Sequence, residues 1–327
     1  MAAPAPLTWR ETDWVDPTPG SASHVITVVG RAIRTEVLGA VLHRASVAST
    51  VVSGTRTMAS YPCTAVELSV QLARPFDTVE PSLRAELREI SGNCGVDITL
   101  QRTDRQYGLV VFDMDSTLVK DETIVRIAER AGRSREVNLI TSQAMRGELD
   151  FAASLRLRAG ALAGLPAAVL DEVAQQSELM PGALVTVRSL QSMGIRVGVI
   201  SGGFEPIVAR IARQLRLDFH AANHLEVASG TLTGRLTGDI VDADAKAVAL
   251  RRFAARERIA LSRCVAVGDG ANDIPMLKAA GLGVAFHAKP AVVAAADVSI
   301  SFQRLDLVLP LLGIPVPCAV VDTYRVS

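Results

Sequence analysis

Apolar and polar positions follow one pattern up to about residue 102 and a different one from residue 107 onward. Residues 1–23 scatter four prolines among small and polar residues, which predicts a poorly ordered leader. From His24 the pattern is regular. Residues 24–29 read as a strand, 31–44 as a helix, 46–56 and 64–72 as a strand pair, 81–91 as a helix and 96–101 as a final strand. That β-α-β-β-α-β order predicts a ferredoxin-like α+β domain with an antiparallel sheet over 24–102. Residues 102–106 are polar and read as a hinge.

From Tyr107 strands alternate with helices. After the first apolar run at 109–112 come strands at 195–200, 219–222, 265–267, 283–286 and 298–300, with a small hairpin near 225–236. Alternation predicts a Rossmann-like, mostly parallel sheet over 107–305. Between its first and second strands, over about 123–180, the spacing of Ile124, Ile127 and Ala128 suits one helical face, and Pro166 and Pro181 act as punctuation. This predicts an all-helical cap inserted after the first strand. Residues 306–327 remain as an apolar C-terminal tail with no evident role.

Composition changes the picture only in what it removes. The 327 residues suit two domains, and 49% hydrophobic residues allow substantial cores. Lysine plus arginine equal aspartate plus glutamate at 34 each, so no global field attracts nucleic acid. Cys63, Cys94, Cys264 and Cys318 lack metal or redox spacing and read as reduced and mostly buried. The first 19 residues carry acids, tryptophans and prolines, so the reading expects no signal peptide, no membrane span and a cytoplasmic location.

The chemistry sits where apolar runs end. Asp113-Met114-Asp115-Ser116-Thr117 follows Leu109-Val110-Val111-Phe112, placing two carboxylates at the end of a buried strand. At i and i+2 of an extended segment, Asp113 and Asp115 converge on one cleft, and their mutual repulsion spreads their pKa values between an ionised and a proton-donating role. Val197-Gly198-Val199-Ile200 runs into Ser201-Gly202-Gly203, which offers a hydroxyl and unobstructed backbone N–H groups to an anion. Val265-Ala266-Val267 runs into Gly268-Asp269-Gly270-Ala271-Asn272-Asp273, whose two carboxylates suit a hard cation such as Mg²⁺. Each stretch taken alone is also a plain glycine or aspartate turn. Their recurrence at successive strand ends favours a site.

In this order, with Lys246 between the second and third stretches, these motifs resemble the haloacid dehalogenase superfamily of phosphotransferases over about 105–305, and within it the phosphoserine phosphatases. The resemblance implies a nucleophilic Asp113, an acid/base Asp115, and Mg²⁺ held by Asp113, the backbone carbonyl of Asp115 and Asp269, with Asp273 nearby. It further implies phosphate contacts from Ser201, Gly202 and Lys246, and substrate contacts from Asn272, Glu122 (in Asp121-Glu122-Thr123), Phe151 and Arg158 (in Phe151-x-x-Ser154-Leu155-Arg156-x-Arg158). The implied substrate is O-phospho-L-serine, hydrolysed in the last step of serine biosynthesis. Two alternatives stay open: a related enzyme acting on another small phosphate ester, and a serine-sensing protein with an inactive phosphatase fold.

The first domain resembles ACT-type ligand-binding domains, which implies a serine effector, or a scaffold or homodimerisation role. Its first loop, Gly30-Arg31-Ala32-Ile33-Arg34, lacks the aspartate and second glycine that such domains use to cradle an amino acid, which favours the scaffold role.

Overall fold

The structure is a computed structural model and describes residues 22–48, 50–72, 76–145 and 148–317. The leader reading for 1–21 and Cys318 lie outside the described residues. Cα packing divides the chain into a unit of Met1–Gln106 with Asp306–Ser327, and a unit of Tyr107–Leu305.

In the first unit the elements run β1 (His24–Gly30), α1 (Thr35–Val47), β2 (Thr50–Ala59), β3 (Thr64–Leu72), α2 (Phe76–Cys94) and β4 (Asp97–Arg102). The strands form an antiparallel sheet in the order β2-β3-β1-β4, as the ferredoxin-like reading expects. One face of alternate strand residues, Ile26, Val28, Leu68, Val70 and Leu100, packs on Val37 and Val41 of α1 and on Leu83 and Leu87 of α2. Helix α2 starts at Phe76, not at Pro81, which lies inside it. Proline favours the first helical turn without barring an earlier start, so the sequence rule misplaced this end.

Two polar assignments change. Ser23, read as part of the leader, donates its N–H to Val70 O at 3.1 Å and accepts from Thr103 N–H at 3.1 Å. Arg105, read as a hinge residue, has an 8% exposed side chain that pairs with the buried carboxylate of Glu67 and reaches Leu311 O at 3.2 Å. Arg56 adds a second guanidinium on Glu67 at 3.0 Å and donates to Gly313 O at 3.3 Å. Residues 306–317 therefore belong to this unit's core, where Leu309, Leu311 and Ile314 are buried.

The second unit opens with β5 (Leu109–Phe112) and a tight turn, Met114–Leu118. The inserted segment is helical: α3 (Thr123–Arg130), α4 (Ser134–Met145), α5 (Phe151–Gly160) and α6 (Ala168–Gln176). Its two ends are joined by Val119 pairing with Leu179. There follow α7 (Ala183–Ser192), β6 (Arg196–Phe204), α8 (Glu205–Leu215), β7 (Phe219–Ala228), β8 (Thr231–Thr237), α9 (Ala243–Arg256), β9 (Cys264–Gly268), α10 (Ile274–Ala279), β10 (Leu282–Phe286), α11 (Pro290–Ala295) and β11 (Val298–Ile300). A short helix α12 (Val308–Leu311) lies in the segment that joins the first unit.

The sheet order is β11-β10-β9-β5-β6-β7-β8, parallel except for the β7–β8 hairpin. The hairpin is not a separate element, because β7 runs unbroken from Phe219 into it. Strand β5 is central, and later strands are added on both of its sides. Its carboxyl end is thus a topological switch point, where open α/β sheets leave a crevice. All four residues of β5 are fully buried, so nothing on the strand itself reaches solvent before Asp113. Among the described residues, no helix is long and apolar enough to cross a membrane.

Candidate active site

Asp113 is the first residue beyond β5, 5% exposed, and its N–H donates to Val267 O at 2.9 Å, extending the ladder to β9. The chain then turns sharply, with Ser116 at φ +56°. The turn keeps Asp113 and Asp115 on one cavity while Met114, between them, is buried. Asp115 accepts from Thr123 N–H at 3.2 Å and from the Thr123 hydroxyl at 3.3 Å, and so is braced against the start of α3.

Beneath Asp113 lies a charged core. Lys246, on the first turn of α9, is fully buried and donates to Asp113 Oδ1 at 2.6 Å and Asp273 Oδ1 at 2.7 Å. Asp273 Oδ2 accepts from Gly270 N–H at 3.0 Å, so both of its oxygens are engaged. Glycine is required at 268, since a side-chain carbon there would lie 2.5 Å from the Asp273 carboxylate. Asp269 accepts from the Thr117 hydroxyl at 3.3 Å. Asp113, Asp269 and Asp273 each bring an oxygen within 4.8 Å of the others.

Three carboxylates against one ammonium leave the site short of positive charge. Burial raises Asp113 well above the carboxylate range, Asp273 and Asp269 add to the rise, and Lys246 opposes it. Asp269 is pushed up to about 6 by burial, Asp273 and Glu122. Burial works against the charge of Lys246, but Asp113 and Asp273 outweigh it and hold the ammonium above its ordinary range. A buried, oxygen-only donor set with unbalanced negative charge fits a hard divalent cation. Asp115 rises to about 7 through burial and Glu122, with the Thr123 hydrogen bonds pulling down.

Asp113, Asp115, Glu122, Phe151, Arg158, Ser201, Gly202, Asp269 and Asn272 all line one cavity of about 750 Å³. Lys246 and Asp273 lie behind its wall. The cap side is α5: Phe151, Ser154, Leu155 and Arg158 face in, and Arg156 is exposed. The Phe151 ring packs over the Ser201-Gly202-Gly203 turn, where a side-chain carbon at 202 would sit 2.9 Å from Cζ. Burial lowers the Arg158 guanidinium, and Glu122 and Asp115 pull it back up. Among the described residues it donates to Ser154 O at 3.4 Å.

Sequence reasoning missed three residues. The Ser154 hydroxyl is buried at the cavity wall with no hydrogen-bond partner among the described residues. Lys289, just before α11, brings a cation to the cavity from a distant segment. Asn223 on β7 bonds the glycine turn from behind. Only Ser154 stood inside a motif already noted.

Comparison with known proteins agrees with this arrangement. Residues 110–278 match the haloacid dehalogenase-like hydrolase family and residues 22–101 an ACT domain. A phosphoserine phosphatase of Mycobacterium tuberculosis is 48% identical over 299 residues, covering 90% of this chain and 72% of that protein. A HAD-family hydrolase of Salmonella enterica serovar Typhi superposes with a TM-score of 0.79 at 30% identity, over 88% of this chain and 98% of that one. A phosphoserine phosphatase solved as a phospho-aspartyl intermediate analogue gives 0.60 at 43% identity, over 63% and 99%. The chain belongs to the haloacid dehalogenase-like hydrolases and carries an ACT domain ahead of its hydrolase fold.

Proposed function

We propose that the chain hydrolyses O-phospho-L-serine to L-serine and phosphate, the last step of serine formation, through a phosphorylated Asp113. One observation carries the reading. A single cavity holds both a phosphoryl-transfer set, Asp113, Asp115 and Ser201, and an Arg158/Glu122 pair suited to a carboxylate and an ammonium. The solved relative described as a phospho-aspartyl intermediate analogue supports the covalent route.

In this mechanism Asp113 attacks phosphorus and the P–O bond to serine breaks. Asp115, raised to about 7 by burial and Glu122, gives its proton to the departing serine oxygen. Water then attacks the aspartyl phosphate, the bond from phosphorus to Asp113 breaks, and Asp115, now ionised, takes a proton from the water, which restores the Asp113 carboxylate and the protonated Asp115. The Ser201 hydroxyl and the Gly202 backbone carry charge on the transferring oxygens, and Lys246 steadies Asp113 at 2.6 Å. Mg²⁺, held by Asp113, the Asp115 carbonyl and Asp269, would keep Asp113 ionised and neutralise phosphoryl charge. Asp273, with both oxygens engaged, orients Lys246 and the Gly270 loop. Asn272 serves as a further substrate contact, and Phe151 closes the glycine turn.

The test is phosphate release from O-phospho-L-serine with Mg²⁺ and after chelation. Release that needs the cation supports the reading. Release from other esters but not from phosphoserine would leave the chemistry and remove the substrate. For the ACT domain, the Gly30–Arg34 loop favours a scaffold over serine sensing.

A further inference from the structure

We propose that Asn223 is a positioning residue that sets the phosphate-binding geometry by tying the Ser201-Gly202-Gly203 turn to the helix bearing Lys246. Asparagine is depleted in strands, and a buried amide is costly unless both ends are bonded. Asn223 is 1% exposed and pairs with Phe204 where β7 meets the end of β6. Its Nδ2 donates to Gly202 O at 2.9 Å and its Oδ1 accepts from Val241 N–H at 2.8 Å.

One bond acts on the turn that faces the cavity and the other on the start of the helix whose Lys246 holds Asp113 from behind. The Gly202 carbonyl and the Gly203 N–H share one peptide plane, and that N–H donates to Ser201 Oγ at 2.9 Å. Fixing the plane from behind therefore fixes the acceptor side of the Ser201 hydroxyl and leaves its one hydrogen to donate into the cavity. At the other end, Val241 directly precedes Asp242. The Asp242 side chain accepts from Ala245 N–H at 2.9 Å, and its carbonyl accepts from Lys246 N–H at 2.9 Å. One side chain thus sets the spacing between hydroxyl and ammonium, which come from segments far apart in sequence. Asn223 is not among the residues lining the cavity, so it acts through these groups.

The inference rests on the proposed phosphoryl chemistry but not on the choice of serine. Asn223→Ala removes both bonds. Asn223→Asp keeps the acceptor for Val241 and loses the donor to Gly202. Inorganic phosphate binding by calorimetry with Mg²⁺, and kcat/KM on phosphoserine and on p-nitrophenyl phosphate, are measured beside thermal melting. Displacing a preorganised donor by a fraction of an ångström predicts roughly 10- to 100-fold losses in phosphate affinity and in both kcat/KM values, with the ratio of the two esters unchanged and melting still cooperative. Values within about twofold of wild type in both variants overturn the assignment. So does loss of cooperative melting in both, which would make Asn223 a residue of the fold. If wild type spares phosphoserine but cleaves p-nitrophenyl phosphate, the substrate reading fails and the remaining arms still judge Asn223.

Discussion

The two sides of the cavity are built differently. On the sheet side the carboxylates and the buried ammonium are already bonded to protein: Lys246 to Asp113 and Asp273, Asp269 to Thr117, Asp115 to Thr123. On the cap side the groups are sparsely bonded. Arg158 has one long contact to Ser154 O at 3.4 Å, Glu122 one to Ser116 at 3.5 Å, and the Ser154 hydroxyl none among the described residues. Fixed dipoles lower a barrier because they need no reorganisation as charge develops. Sparsely bonded polar groups, by contrast, gain most when a ligand supplies the missing partner. In the proposed reaction the sheet side meets the transition state and the cap side selects what enters.

The strongest way to break this comparison is Asp113→Asn. The shape is kept and Lys246 retains Asp273, so the fold should persist while turnover on any phosphate ester falls by about 10⁴-fold or more. Steady-state assays on two esters with a melting curve decide it, and a variant keeping a tenth of wild-type activity removes the nucleophile. Asp115→Asn should cost about 10²- to 10⁴-fold on phosphoserine, and less on p-nitrophenyl phosphate, whose leaving group needs no proton. Equal losses on both would falsify the proton-donor role. The smallest effect is expected from the cap. Ser154→Ala should lower kcat/KM for phosphoserine by about 2- to 10-fold, the worth of one neutral hydrogen bond, and leave p-nitrophenyl phosphate alone. A uniform change on the two esters would mean that the hydroxyl does not meet the serine end.

The same contrast explains what the sequence made legible. Asp113 to Thr117 and Gly268 to Asp273 are contiguous, sit at strand ends and demand Gly and Asp at fixed offsets, so local chemistry announced them. Lys246 looked like an ordinary helix start, and only its place in the order of motifs marked it. Asn223 was illegible because neither partner is a sequence neighbour: Gly202 O comes to it through the β6–β7 pairing, and Val241 N–H from the connection beyond β8. Arg105 was likewise read only as part of a polar hinge, since nothing local shows that it pairs with Glu67 and reaches Leu311 O. The alternation of strands and helices, which depends on period alone, gave the correct sheet types. The ends of α2 and the unbroken β7 depend on tertiary packing and were misplaced.

The central claim, that chemistry and choice lie on opposite sides of one cavity, is tested most directly by Arg158→Ala on two esters that differ by one group. O-phospho-L-serine and O-phosphoethanolamine share phosphate and ammonium, and only the first has a carboxylate. Loss of a bidentate, desolvated arginine contact predicts that kcat/KM for phosphoserine falls by the equivalent of about 2–5 kcal/mol while that for phosphoethanolamine barely moves. Equal losses on both esters would contradict the account and assign Arg158 to the phosphate or to the packing of α5.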